Sequence, residues 1–130
     1  MSAAVRFYSR SGNTKAVAEA IAQAAGVPAV PVDDAQSVIS SPVDVLFIGG
    51  ALYAYGIDSH LKDYLKGLKK ENVRKAVVFS TSWISKHALD LIRKELEAKG
   101  IQVAGETFHV KSSQATGSAD DAKTFAKKFL

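Results

Sequence analysis

The chain has 130 residues, 47% of them hydrophobic, which fills one core and is too short for two ordinary domains, so a single domain over residues 1–130 is expected. Its apolar runs are short and broken by charge, excluding a bilayer-spanning helix, and the start lacks the basic-then-apolar layout of a signal peptide, so a cytoplasmic protein with no membrane partner is expected. The absence of cysteine excludes disulfides, thiolate catalysis and cysteine-ligated iron–sulfur clusters, and the net charge of +4 is scattered instead of blocked, which argues against a nucleic-acid partner.

In chain order, residues 3–8 read as a short apolar strand and residues 14–25 as a helix with Val17, Ile21 and Ala24 on one face, joined by a turn over residues 9–13. A second strand is expected over 27–32, followed by a polar stretch from Asp33 to Ser41 with room for a brief helix. Residues 43–48 form a nearly continuous apolar run, as in a strand buried on both faces, which Gly49-Gly50 is expected to stop. Asp58 is placed to cap a helix carrying Leu61, Tyr64, Leu65 and Leu68, with Lys62, Lys66, Lys69 and Lys70 on its solvated side. A fourth strand over 76–79, a loop Ser80-Thr81-Ser82-Trp83, and a helix capped by Ser85 with Leu89, Ile92 and Leu96 inward come next, Gly100 closing the helix. A fifth strand over 101–110 and a last helix from about Ala119, with Ala122, Phe125, Ala126 and Phe129 inward, complete the chain.

Strands alternating with helices, without a hairpin signal, predict an α/β doubly wound sandwich: a five-stranded parallel sheet in the order 2-1-3-4-5 with helices on both faces. Ligands of such sheets sit beyond the carboxyl ends of the strands, at the switch point between the first and third. That selects residues 9–14, 50–57 and 80–84.

Ser9, Ser11, Asn13 and Thr14 place four small hydrogen-bonding side chains in six positions before a helix whose first N–H groups have no internal partner. With the helix dipole, such donors hold a phosphate without a lysine, and Gly12 lets the backbone approach; the same residues also suit an ordinary helix cap. A P-loop is disfavoured, since neither GxxxxGK[ST] nor GxGxxG follows the first strand. A receiver domain would need an acidic pair and an acceptor Asp where Ser9 and Gly49-Gly50 stand.

The run Phe7-Tyr8-Ser9-Arg10-Ser11-Gly12-Asn13-Thr14 resembles the phosphate-loop signature of the flavodoxin family, S/T-x-S/T-G-x-T after a strand. The likeness continues through residues 45–54, ending Ala51-Leu52-Tyr53-Ala54, and through Val78-Phe79-Ser80-Thr81-Ser82-Trp83. Length and the lack of an insertion match the short-chain type. The resemblance implies a flavin mononucleotide (FMN) whose phosphate is held by Ser9, Ser11, Asn13 and Thr14, with backbone N–H groups from Arg10 and Gly12. Its ring would lie between Ala51, Leu52, Tyr53, Ala54, Tyr55 and Gly56 on one side and Ser80, Thr81, Ser82 and Trp83 on the other. Tyr53 and Tyr55 compete for one ring face, and Trp83 either stacks on the other or packs in the core. Related sequences carry Tyr-Ala-Gly-Lys where this one has Tyr53-Ala54-Tyr55-Gly56, so the glycine is displaced by one. Arg6 stands at an apolar position of the first strand and is expected to snorkel at the sheet end. The basic charge differs from the family's usual acidity and points to an acidic redox partner.

The function so implied is electron transfer through FMN, with no catalytic acid or base and no metal. The alternative is an FMN-dependent oxidoreductase of the same fold, of the quinone reductase or protoporphyrinogen dehydrogenase type; a flavin-free scaffold is a third class. His60, His87 and His109 would matter only for an enzyme and otherwise read as surface or core histidines; their spacing fits no helical metal pair.

Overall fold

A computed structural model describes residues 2–53, 56–82 and 87–130. Five strands, β1 (Ala3–Tyr8), β2 (Ala29–Pro31), β3 (Val45–Ala51), β4 (Ala76–Ser82) and β5 (Phe108–Lys111), pair in parallel in the order β2-β1-β3-β4-β5. The helices are α1 (Asn13–Ala25), α2 (Ser59–Gly67), α3 (His87–Ala98) and α4 (Ala119–Lys127). This is the doubly wound arrangement the alternating pattern predicts.

Strand pleating sends alternate side chains to opposite faces. Val5, Phe7, Val45, Phe47, Val77 and Phe79 pack with α1 and α4, while Ala4, Leu46, Ile48, Ala76 and Val78 pack with α2 and α3. Val5, Phe47, Ile48, Phe79, Leu65 and Ile92 are fully buried, each contributing about 1.5–3 kcal/mol of apolar transfer. Asp58 caps α2 as expected, its Oδ1 accepting from the His60 N–H at 2.8 Å. Ser85, the expected cap of α3, lies outside the described residues.

Three boundaries differ from the sequence expectation. β3 does not stop at Gly49-Gly50 but continues through both to Ala51. Packing explains the glycines: a Cβ on Gly49 would stand 2.4 Å from the Phe79 ring and carbonyl oxygen, and one on Gly50 2.4 Å from Leu61 Cδ2. Ser80, Thr81 and Ser82 belong to β4 and not to the loop after it, pairing in register with Gly50, Ala51 and β5. The fifth strand is shorter than expected, because Val103 makes one bridge to Ala76 and the chain then leaves the sheet past Gly105 before returning as β5. A smaller shift affects residues 27–32, where only Ala29–Pro31 are strand, while the brief helix expected within 33–41 is the 3-10 turn Ala35–Ser37.

The Arg6 head group, expected to stand in solvent, is tied to the main chain instead. The residue is half-buried, with Nε donating to the Ser37 carbonyl at 2.9 Å and Nη1 to the Val5 carbonyl at 3.0 Å.

Candidate functional site at the carboxyl edge of the sheet

The turn from β1 to α1 is closed locally. Ser9 Oγ accepts the Gly12 N–H at 2.9 Å, and Gly12, at φ 90°, takes the left-handed conformation that starts the helix without a side-chain cap. A Cβ at Gly12 would meet nothing within 4 Å, so the space above the loop is open. Ser11 is exposed and Asn13 half-buried, and neither side chain has a hydrogen-bond partner among the described residues. Together with the N–H groups of the first turn of α1, they form a set of neutral donors at the positive end of a helix.

Thr14 points down from this turn instead of up. It is 1% exposed, and its Oγ1 lies 2.6 Å from Oγ1 of the equally buried Thr81 at the end of β4. Two hydroxyls sharing one hydrogen bond retain one further hydrogen to donate. Ser80, on the opposite face of β4, is fully buried with no partner for its Oγ among the described residues, and Ser82 Oγ lies 2.8 Å from His109 Nε2.

The third segment is held by charge. Ala51 ends β3, and the N–H of Leu52 just after it reaches the Thr81 carbonyl at 3.4 Å. Tyr53 and Gly56 exchange both backbone hydrogen bonds, at 2.7 and 3.0 Å, and Gly56 takes φ 113°, a conformation open to glycine. Asp58, 3% exposed, gives Oδ2 to the Arg10 guanidinium, which donates from Nε at 2.9 Å and also from Nη2. Its Oδ1 accepts from the His60 main chain and, at 2.7 Å, from His60 Nδ1. The His60 ring stacks on Tyr8 with centroids 4.8 Å apart. Arg10 Cζ lies 4.0 Å over the Tyr53 ring, and the Arg10 N–H reaches the Tyr53 hydroxyl at 3.4 Å.

Burial pushes the Asp58 carboxyl up, but the His60 main chain, the His60 ring and Arg10 outweigh it and hold it below its ordinary value. The Tyr8 hydroxyl is pushed up by desolvation and by the Asp58 carboxylate.

The structure therefore brings Ser9, Arg10, Ser11, Gly12, Asn13, Thr14, Ala51, Leu52, Tyr53, Gly56, Ser80, Thr81 and Ser82 to the ends of β1, β3 and β4. Ala54, Tyr55 and Trp83 lie outside the described residues. The frame around Arg10 includes three residues that the sequence did not single out for it: Asp58, legible only as a cap, His60, legible as a surface histidine, and Tyr8. No group of metal-ligating side chains occurs among the described residues, and no helix there is long and apolar enough to cross a membrane. The apolar groove of about 450 Å³ between residues 38–40 and the far end of α2 shares no residue with this edge.

A family model described as flavodoxin domain matches residues 4–114. Among solved structures, the chain is similar to a short-chain flavodoxin associated with a non-canonical PDU bacterial microcompartment, at TM-score 0.77 and 14% identity over 99% of this chain and 97% of that one. It is also similar to two-electron reduced Megasphaera elsdenii flavodoxin (0.65, 22%, covering 97% and 98%) and to an apo NADH:FMN oxidoreductase (0.67, 17%, covering 100% and 90%). No curated protein sequence matches significantly.

Proposed function

The chain belongs to the flavodoxin-domain family, and from that premise we propose that it binds one FMN at the carboxyl edge of β1, β3 and β4 and passes electrons to a redox partner protein. The observation that carries this reading is the lysine-free donor set of residues 9–14 at the start of α1, opening beside Tyr53. Its chemistry fits a phosphate monoester: hydroxyls, an amide and helix N–H groups donate, and no carboxylate of the loop competes. FMN, when bound, supplies one- and two-electron redox chemistry. The chain's own residues bind and orient it. Ser9, Ser11 and Asn13 take the phosphate with the unpaired N–H groups of the first turn of α1, the buried Thr14–Thr81 pair pins the start of that helix to β4, and Tyr53 borders the ring. Offset stacking there adds about 0.5–1.5 kcal/mol beyond burial. Trp83 is assigned to the other side of the ring.

The partner is acidic in this proposal. Lys62, Lys66, Lys69 and Lys70 are exposed along and after α2, so association should weaken as salt screens them.

A visible spectrum of the purified protein with added FMN tests the reading: a bound yellow chromophore and strong quenching of the Trp83 fluorescence are expected. Binding without quenching removes the role given to Trp83. No binding removes the function.

One observation favours a second reading, an FMN-dependent oxidoreductase. His60 is oriented through Nδ1 by a buried carboxylate, stacked on Tyr8, and 55% exposed, a fixed imidazole open to solvent of the kind an enzyme turns toward a substrate. Steady-state NAD(P)H oxidation with a quinone acceptor separates the two: turnover that falls in His60→Gln establishes the enzyme.

A further inference from the structure

Arg10 sits in the phosphate loop, but its guanidinium leaves that loop. It is joined through two nitrogens to one oxygen of Asp58, 48 positions along the chain, and its Cζ lies over Tyr53 at 4.0 Å from the ring centroid. Asp58 cannot follow a moving partner, because its other oxygen caps α2 and holds the His60 ring. Its carboxylate is 3% exposed. Turning Arg10 toward a bound phosphate would strip a buried carboxylate of its counter-charge, and uncompensated buried charge costs more than a solvated phosphate contact returns. The guanidinium is thus committed to the frame. Tyr53 is fixed in turn, by the cation on one ring face and by its hydroxyl at the Arg10 N–H.

We propose that Arg10 is a positioning residue for the ring half of the ligand site and not a phosphate ligand through its side chain: Asp58 clamps the guanidinium against Tyr53 and so fixes the aromatic side chain that borders the bound flat ring. This rests on the FMN reading above. A guanidinium fork suits the role better than an ammonium, since it stacks on an aromatic face while its edge pairs with a carboxylate. A free Tyr53 side chain would have to be ordered by the incoming ring, and immobilising one such side chain lowers affinity roughly two- to tenfold.

The test is a pair of titrations, with FMN and with riboflavin, on the wild type, Arg10→Gln, Arg10→Lys and Asp58→Asn. Removing the clamp should weaken both flavins by the same factor, roughly two- to tenfold, leaving the FMN-to-riboflavin ratio at its wild-type value. Arg10→Lys keeps the charge and loses the fork, so it should weaken both flavins as well. Asp58→Asn retains a cap acceptor for α2 and should do the same by releasing Arg10. If Arg10→Gln weakens FMN alone and Arg10→Lys restores it, the side chain reads the phosphate and the proposal is wrong. Unchanged affinity for both flavins in all three variants also overturns it. A wild type that binds neither flavin removes the FMN reading itself, a result distinct from either failure.

Discussion

Residues 9–14 and residues 51–58 border the same edge and are built on opposite plans. The first stretch closes on itself over three positions, through Ser9 and Gly12, and leaves the side chains of Ser11 and Asn13 without partners among the described residues. The second is fixed from a distance: Tyr53 to Gly56 across its own turn, Asp58 to Arg10 across 48 residues, and Leu52 to the β4 carbonyl of Thr81. One region keeps neutral donors available, and the other has its charges already matched. An anion can then be received where no cation is displaced to receive it.

The largest effect that separates the two regions concerns the ligand. If residues 9–14 take the phosphate, riboflavin should bind at least about 100-fold more weakly than FMN, because two or more charge-assisted hydrogen bonds are lost at roughly 1.5–3 kcal/mol each. Equal affinities in a fluorescence titration would break the comparison at its first term.

Next in size is the loss of Asp58. Asp58→Ala removes a helix cap and the partner of Arg10, and urea unfolding should show about 2 kcal/mol of destabilisation. The charge left behind is less harmful than a buried one, since the Arg10 side chain is 44% exposed. A carboxyl held below its unfolded value adds stability that is complete above that value, about 3.9, and is lost as pH falls through the folded one. The wild type should therefore lose stability below about pH 4, and Asp58→Asn should show a shallower acid limb. An identical limb in the two proteins would mean that Asp58 titrates as it does in the unfolded chain.

How much of this was legible in the sequence follows the same division. The strands in the middle of the sheet announce themselves because Val45 to Ile48 and Ala76 to Phe79 are apolar throughout, and the cap at Asp58 is visible because its acceptor and donor are two residues apart. Glycine is a local breaker on average, so Gly49-Gly50 reads as a strand end; what keeps them in β3 is the Phe79 ring and Leu61, neither of which is near in sequence. Ser80-Thr81-Ser82 reads as a loop on polarity alone. In the fold, Thr14 and His109 meet two of those hydroxyls and let the strand continue. The Arg10 clamp had no local signal at all. Its parts are a loop cation, a helix cap and a tyrosine, each sufficient on its own terms, and only the sheet order sets them side by side.

A smaller effect tests whether the two plans are joined at Thr14. Thr14→Val or Thr81→Val alone strands a buried hydroxyl and should cost about 1–2 kcal/mol, whereas the double variant, apolar on both sides, should lie near the wild type. The coupling energy from that cycle measures how firmly α1 is pinned to β4. Additive losses would show that the hydroxyls are satisfied independently.

The smallest effect is expected at Ser9, and its size is informative. Ser9 Oγ accepts the Gly12 N–H in a solvent-exposed turn, so Ser9→Ala should lower stability by only about 0.5 kcal/mol, water taking over the lost acceptor. For ligand binding two consequences oppose each other: one hydroxyl donor disappears, while the Gly12 N–H is released to donate to the phosphate. The net loss of FMN affinity should stay near threefold, by cancellation of two hydrogen bonds of similar strength. Ser11→Ala has no such compensation, since its hydroxyl holds no other group in the loop, and should lose more. FMN titrations of the two variants side by side decide the point. If Ser9→Ala is the more damaging, the local bond to Gly12 is part of the bound state, and residues 9–14 are as closed a frame as residues 51–58.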